Sequence, residues 1–409
     1  MNKRNGRNTG LRSVAVAASV ALGLAASSAF AEKKYDEGAS DTEIKIGNTL
    51  PYSGPASAYG IIGKVEGAYF KMINDQGGIN GRKINFISLD DGYNPAKTVE
   101  QVRKLVEEEK VLFVFQTLGT AHNTAIHKYM NDRKIPQLFV ATGATKWGDY
   151  KNYPWTMGWQ PNYQAEARAY AAYVLKHMPN AKVGILYQND DFGKDYLHGF
   201  KEGFGDKASK MIVKEVSYEV SDPTVDSQII ALKSSGADVF FNVATPKFAA
   251  QAIRKAYDIA WKPTQFISNV SANVGSVLAP AGLEKSKGVI TAQYLKDPTD
   301  PQWQKGKEYE EFMAFKNKYL PDTDIKDINN VYGYSVASTL VRVLKACGDN
   351  LTRENVMKQA ANLKNVQEPM VTPKVMVNTS PTDYFPLEAV LLGKFNGEKF
   401  VSFGEVLGR

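Results

Sequence analysis

Apolar and polar residues recur along this chain in two periods that keep replacing one another. Ile44 and Ile46 stand between polar residues in a stretch ending at Leu50, the alternation of a strand with one covered face. Ile61, Ile62, Val65, Ala68, Tyr69, Met72 and Ile73 then recur with helical periodicity. Gly77-Gly78-Ile79-Asn80-Gly81-Arg82 reads as a turn leading to a strand over 84–90. Pro95 opens a helix with Val99, Val102, Leu105 and Val106 on one face. Residues 111–115 are apolar at every position, as a parallel strand covered on both faces should be. A helix over 121–133 and a strand over 137–141 complete a first run.

A second run follows the aromatic-rich segment 147–159. The pattern predicts helix 164–177, strand 183–188, a helix spacing Phe192, Tyr196, Phe200 and Phe204 four apart, strand 212–220, helix 226–235, strand 238–243, helix 247–260 and strand 265–268. A strand over 288–294, helices over 303–318 and 330–346, and strand-like pieces near 370–377, 387–393 and 399–403 end the chain. This alternation predicts an α/β protein of two doubly wound lobes with parallel sheets. The late helices have no sheet of their own, so they are expected to return to the first lobe. The expected division is a leader over 1–31, a first lobe over 42–163 and 295–370, and a second over 164–294 and 371–409.

The leader changes where such a protein would work. Lys3, Arg4, Arg7 and Arg12 precede a small and apolar run from Val14 to Ala26, and Ala29-Phe30-Ala31 follows as a cleavage site. These are the parts of a secretory signal, and the apolar run is too short for a membrane anchor. The expectation is a periplasmic protein starting near Glu32. No cysteine follows Ala31 to take a lipid, so the mature chain should diffuse freely. The leader holds four of the 50 basic residues and no acid, which leaves 46 against 43 and no basic patch suited to nucleic acid. Cys347, the only cysteine, reads as a structural thiol in the last turn of a helix.

Catalytic signatures are missing. No glycine-rich dinucleotide or phosphate loop and no HExxH is present, and the four histidines are too irregularly spaced for a metal set. Gly333-Tyr334-Ser335-Val336-Ala337 half matches a nucleophile elbow but lies inside a helical pattern. No enzyme, cofactor or metal is expected. The candidate chemistry lies beyond strand ends, where open α/β sheets bind ligands. Leu50–Gly60, Thr117–Ala121 and Ala141–Thr145 are such loops. Gly and Thr at a helix start place backbone N–H groups beside a hydroxyl, which suits a carboxylate; Thr120 or Thr145 alone reads better as a helix cap, and the two together on adjacent strands point to a site. Trp147, close to Thr145, is the aromatic best placed to touch a ligand, while Trp155 and Trp159 read as packing at a crossover.

Several turns carry a family resemblance. Ser53-Gly54-Pro55 with Tyr59-Gly60, Ile73-Asn74-Asp75-Gln76-Gly77-Gly78-Ile79-Asn80-Gly81, Asp90-Asp91, Asn94-Pro95 and Asn189-Asp190-Asp191-Phe192-Gly193 stand in the same order and context. The chain resembles the periplasmic binding proteins for leucine, isoleucine and valine that serve ATP-driven importers. That resemblance implies the type I periplasmic binding fold, two lobes joined by three crossovers that close on a ligand. It implies that Gly119, Thr120 and Thr145 hold the ligand carboxylate, with Gly143 near its other polar end. Tyr59 and Phe192 would flank the ligand from opposite lobes, although Phe192 stands where the family usually has Tyr and its spacing equally suits helix packing. Ala244 and Val270, beyond two strands of the second lobe, complete the candidate set. The implied partners are a small-molecule carboxylate and the permease and ATPase of an importer, with the receptor itself a monomer.

One departure bears on the ligand. Amino-acid binders of this family place an acid after the strand equivalent to 265–268, to pair with the ligand ammonium. Here that stretch reads Asn269-Val270-Ser271-Ala272-Asn273, and the first acid after Pro263 is Glu284. A buried ammonium without its anion costs several kcal/mol. Unless Asp190 or Asp191 substitutes, the expected ligand is a carboxylate with an apolar or aromatic body and no amino group. A receptor for hydrophobic amino acids, or a sensor for a signalling partner, is the alternative.

Overall fold

Two sheets organise the computed structural model, which describes residues 33–408. The leader read from residues 1–31 lies outside the described residues. The first sheet has strands β1 (Glu43–Leu50), β2 (Lys83–Asp90), β3 (Phe113–Phe115), β4 (Gln137–Val140) and β5 (Thr156–Gly158), in the order β2-β1-β3-β4-β5. All its pairs are parallel, with Ile44 beside Ile84 and Ile46 beside both Phe86 and Phe113. The second sheet has β6 (Val183–Gln188), β7 (Ile212–Tyr218), β8 (Val239–Val243), β9 (Thr264–Ile267), β10 (Ile290–Gln293), β11 (Val390–Phe395) and β12 (Phe400–Leu407). Their order is β12-β11-β10-β9-β8-β6-β7, parallel except that β11 runs antiparallel to both β10 and β12.

Helices α1 (Ile61–Asp75), α2 (Pro95–Glu107) and α3 (Thr120–Asp132) connect the strands of the first sheet. Helices α4 (Tyr163–His177), α5 (Asp191–Phe204), α6 (Asp226–Ser234) and α7 (Pro246–Asp258) do so in the second. Then come α8 (Lys307–Tyr319), α9 (Asn329–Cys347) and α10 (Arg353–Ala360). The apolar runs have their explanation in two-sided burial. Phe113 and Phe115 join one buried cluster with Ile46, Phe70 and Leu340, while Val114 joins another with Val102, Leu105 and Ile126 on the opposite face. In the second sheet Phe241 faces Phe200 and Phe266, and Phe240 faces Ile253 and Trp261. Alternate side chains of a strand point to opposite faces, so a sheet covered by helices on both sides needs apolar residues at every position.

Three of these helices start at a short polar side chain that caps them. Asn94 accepts from the N–H groups of Ala96 and Lys97 ahead of α2, Asn162 from Ala165 at the start of α4, and Asp190 from Phe192 and Gly193 at α5. Each such cap contributes about 1 kcal/mol. The chain passes to the second lobe between β5 and α4, returns after β10, and passes over again before β11. Helix α9 packs on α1 through Val331, Val336 and Leu340, and Gly333 makes that possible: a Cβ there would stand 2.9 Å from Val65 Cβ.

Three details differ from the periodicity. The piece near 370–377 forms only the isolated antiparallel bridges Leu295–Val371 and Val366–Val377. Helix α8 begins at Lys307, because Asp300 turns the preceding segment by accepting the Gln302 N–H and binding Lys399 Nζ at 2.5 Å. Helix α10 is too short and too polar to show an amphipathic rhythm; Thr352, accepting the Asn355 N–H, starts it.

Candidate ligand-binding site

The carboxyl ends of the strands in both sheets open onto one cleft, which contains about 1010 Å³ of atom-free space, part of it open to solvent. Tyr59, Tyr93, Leu118, Gly119, Thr120 and Gln160 line it from the first lobe. Tyr163, Phe192, Thr245, Asn269, Val270 and Thr291 line it from the second. Tyr332 reaches it from α9, and Tyr294 from the segment that carries the chain back to the first lobe. Among the described residues that line it, two are charged, Asp297 and Lys326. Asp297 Oδ1 already accepts from the N–H and hydroxyl of Thr299.

Gly119 and Thr120 form the entrance to α3. Gly119 has φ of +100°, and a Cβ there would stand 2.2 Å from His122 Nδ1, so the turn accepts no side chain. Thr120 is buried, and its hydroxyl shares a 2.6 Å hydrogen bond with the hydroxyl of Thr142. The first turn of a helix leaves N–H groups without helical acceptors, and the macrodipole favours negative charge there. An anion at this end of the cleft therefore meets N–H groups and a fixed hydroxyl pair. Behind Gly119, burial pushes the His122 imidazole down to about 4, so it is neutral at physiological pH. Its ring lies 4.2 Å from that of Tyr93.

Of the residues singled out from sequence, Tyr59, Gly119, Thr120, Phe192 and Val270 line the cleft. Phe192 also meets Tyr163 and Tyr196 edge-on at 5.3 and 5.6 Å, so it serves the cleft and the helix packing together. Thr145, Trp147, Gly143 and Ala244 are not among the lining residues. The Thr145 N–H and hydroxyl both donate to Asp195 Oδ2 on α5, at 2.9 and 3.1 Å. Trp147 is buried behind Thr142, to whose hydroxyl its Nε1 donates at 3.4 Å, and packs edge-on to His127. Gly143 is pressed against Tyr163, where a Cβ would come within 2.8 Å of the ring and 2.2 Å of the Pro161 carbonyl. Ala244 is wholly buried and its carbonyl accepts from the Ser271 hydroxyl at 2.6 Å; its neighbour Thr245 faces the cleft.

The acids have definite places. Asp191 is drawn away to the first lobe, where Lys146 Nζ at 2.6 Å and the Thr124 hydroxyl at 2.9 Å donate to its Oδ2. Asp190 caps α5 and accepts from Gln188 Nε2 at 2.6 Å. Burial raises its carboxyl above the ordinary range, against the donors that favour the anion. On the opposite side of the cleft, Asn273 donates to Asp327 at 2.5 Å and the Gly275 N–H to the Lys326 carbonyl at 3.2 Å. The lobes are thus bridged on both flanks of the site.

Sequence reasoning passed over Tyr93, Gln160, Tyr163, Tyr294 and Tyr332. Tyr93 lies beyond the end of β2, in the same kind of loop that marked Tyr59 and Thr120, so the signal was there. Tyr332 has no such signal, because only the return of α9 to the first lobe brings it beside Gln160, whose Oε1 accepts from its hydroxyl at 3.2 Å. Among the described residues no cluster of His, Cys, Asp or Glu is suited to a metal, and no helix is long and apolar enough to cross a membrane.

Residues 43–392 match the sequence profile of a family described as periplasmic binding protein, and the chain belongs to that family. A Leu/Ile/Val-binding protein homolog 1 of Brucella abortus is 25% identical over 375 residues, covering 88% of this chain and 90% of its own. A branched-chain amino acid ABC transporter structure from Thermus thermophilus with bound valine superposes with TM-score 0.80 at 17% identity, over 90% of this chain and 97% of the other. A fatty acid ABC transporter substrate-binding protein from Thermomonospora curvata gives 0.77 at 21% identity, over 92% and 95%. The fold is that of the type I periplasmic binding proteins. Members of this family bind solutes outside the cytoplasm.

Proposed function

We propose that this protein is the periplasmic receptor of an ABC importer for a small organic carboxylate with an apolar or aromatic body, exported through a cleaved leader. The supporting observation is the composition of the cleft. Its walls are mostly aromatic rings, aliphatic side chains and neutral polar groups, with Asp297 and Lys326 the charged residues among them; the Gly119–Thr120 entrance to α3 offers an anion position, and the 269–273 segment supplies no acid. The carboxylate binds at that entrance, and Tyr59 and Phe192 close on the body from opposite lobes. Closure follows from contacts to both lobes, since a ligand shifts a two-state equilibrium only by its differential affinity. The closed form is what the permease receives. Valine and fatty acids, the ligands named for two structural relatives, are both carboxylates with apolar bodies. A hydrophobic amino acid is the second reading, favoured by the similarity to Leu/Ile/Val-binding protein homologs.

A thermal-shift screen over aliphatic acids, aromatic acids, their amino-acid counterparts and sugars tests the proposal. A ligand at about 100 times its dissociation constant adds about 2.7 kcal/mol and raises the melting point by several degrees. Shifts confined to sugars, or an absence of any shift, would overturn the carboxylate reading. Shifts with amino acids alone would select the second reading.

A further inference from the structure

A buried carboxylate stands directly behind the cleft wall. Glu166, in the first turn of α4, is 1% exposed and collects four donors. Tyr170 and Tyr196 donate their hydroxyls at 2.6 and 2.9 Å, and the Asn269 N–H donates at 2.9 Å. The fourth donor is Asn269 Nδ2, which bonds Glu166 Oε2. Tyr170 is itself fixed, since its hydroxyl accepts the Ala292 N–H at 2.7 Å beside the cleft-lining Thr291. Asn269 lines the cleft and is part-exposed, and its Oδ1 has no hydrogen-bond partner among the described residues.

An ionised carboxylate only accepts, whereas a primary amide has a donating and an accepting end. Glu166 therefore settles which way the Asn269 amide faces. Its NH₂ turns back to the carboxylate and its carbonyl oxygen is left for the cleft. We infer that Glu166 is a positioning residue that makes Asn269 Oδ1 a fixed hydrogen-bond acceptor, so that the favoured ligand carries a hydrogen-bond donor besides its carboxylate. The donor belongs to the chemical class of hydroxyl or amino groups. A carboxylate lacking one strands Asn269 Oδ1 once the lobes close, and a site built around a polar group discriminates against the analogue without its partner. The missing acid in the 269–273 segment then has a counterpart: a neutral acceptor at the wall, with a buried carboxyl group one side chain behind it.

This inference rests on the carboxylate-receptor reading, and matched probes separate the two. Isothermal titration at pH 8.5, with Glu166 ionised, compares 4-methylpentanoate, 2-hydroxy-4-methylpentanoate and leucine. The corresponding trio is 3-phenylpropanoate, 3-phenyllactate and phenylalanine. Wild type should prefer a donor-bearing member of a trio over the plain acid by about tenfold or more. The hydroxy-acid and amino-acid arms tell which donor is read. Glu166→Gln, whose amide no longer dictates the turn of Asn269, should bring that ratio close to one while binding of the plain acid changes less than about threefold. Asn269→Leu, which leaves the glutamate and both tyrosines in place, should abolish the preference even if the Glu166 variant folds poorly. Equal loss for all members of a trio would mark Glu166 as merely structural and overturn the inference. A preference that survives Asn269→Leu, or a wild type that favours the plain acid, would overturn it too, with the carboxylate reading intact. No binding of any of the six to wild type would remove the carboxylate reading and this inference with it.

Discussion

Replacing Asp195 with Ala should open the cleft. Asp195 lies on α5 of the second lobe, yet its Oδ2 takes both the N–H and the hydroxyl of Thr145 from the first, at 2.9 and 3.1 Å. Its Oδ1 is held within its own lobe by Gln164 Nε2 at 2.7 Å. Hydrogen bonds to a charged acceptor contribute about 1.5–3 kcal/mol each, but on opening both sides regain water. The burial that raises the Asp195 carboxyl lowers the net value further. About 2 kcal/mol for the pair is a reasonable sum, which is about 30-fold in the ratio of closed to open forms. Asp195→Ala should therefore weaken any ligand that needs closure by up to about 30-fold. Small-angle scattering should show a larger radius of gyration for the ligand-free variant. Asp195→Asn, which keeps one acceptor for Thr145, should fall between. The reasoning fails if affinity and radius of gyration both stay at wild-type values in Asp195→Ala while the variant remains folded by circular dichroism.

Three further outcomes follow from the geometry. Thr120→Val removes one partner of the 2.6 Å Thr120–Thr142 hydroxyl pair. Carboxylate affinity by titration should fall about tenfold with little change in melting point, and an unchanged affinity takes Thr120 out of the site. Gly119→Ala forces a side chain into φ of +100° and against His122, so stability by chemical denaturation should drop by about 1–3 kcal/mol; wild-type stability would contradict the assigned turn. Glu166 gives a pH signature, since burial pushes its carboxyl up to about 7 against four donors. The native state then binds more protons than the unfolded chain between the ordinary carboxylate range and about 7, so wild type loses stability relative to Glu166→Gln as pH rises through that window. His122, held down to about 4, acts in the opposite sense but is present in both proteins and cancels in the difference. A stability difference independent of pH would mean that Glu166 ionises normally.

Much of the fold was legible because its signals are local. The helical rhythm from Ile61 to Ile73 corresponds closely to α1, and the apolar run 111–115 contains the shorter strand β3. Pro95 announces α2, while Asn94 and Asp190 cap α2 and α5 by hydrogen bonds that reach within three residues. The aromatic segment 147–159 was harder to divide, since it contains the short edge strand β5 as well as the packed Trp147 and Trp159. The site was legible by half. Tyr59, Gly119 and Thr120 lie in loops beyond strand ends and show themselves by position, whereas the partners of Thr145 and Asn269 do not.

Periodicity, caps and turns thus determined by themselves that this chain is a two-lobed α/β protein, pointed to the loops beyond the strand ends, and showed that residues 269–273 after β9 carry no acid. Folding decided the rest, because the decisive contacts join residues far apart in the chain. Asp195 claims Thr145 across 50 positions, Glu166 claims Asn269 across 103, and Tyr332 meets Gln160 across 172. No local pattern encodes such pairs. They exist because the chain folds back on itself, across the two lobes for Asp195 and Thr145 and within one lobe for the other two pairs, and there a buried glutamate turns the asparagine amide that lines the cleft.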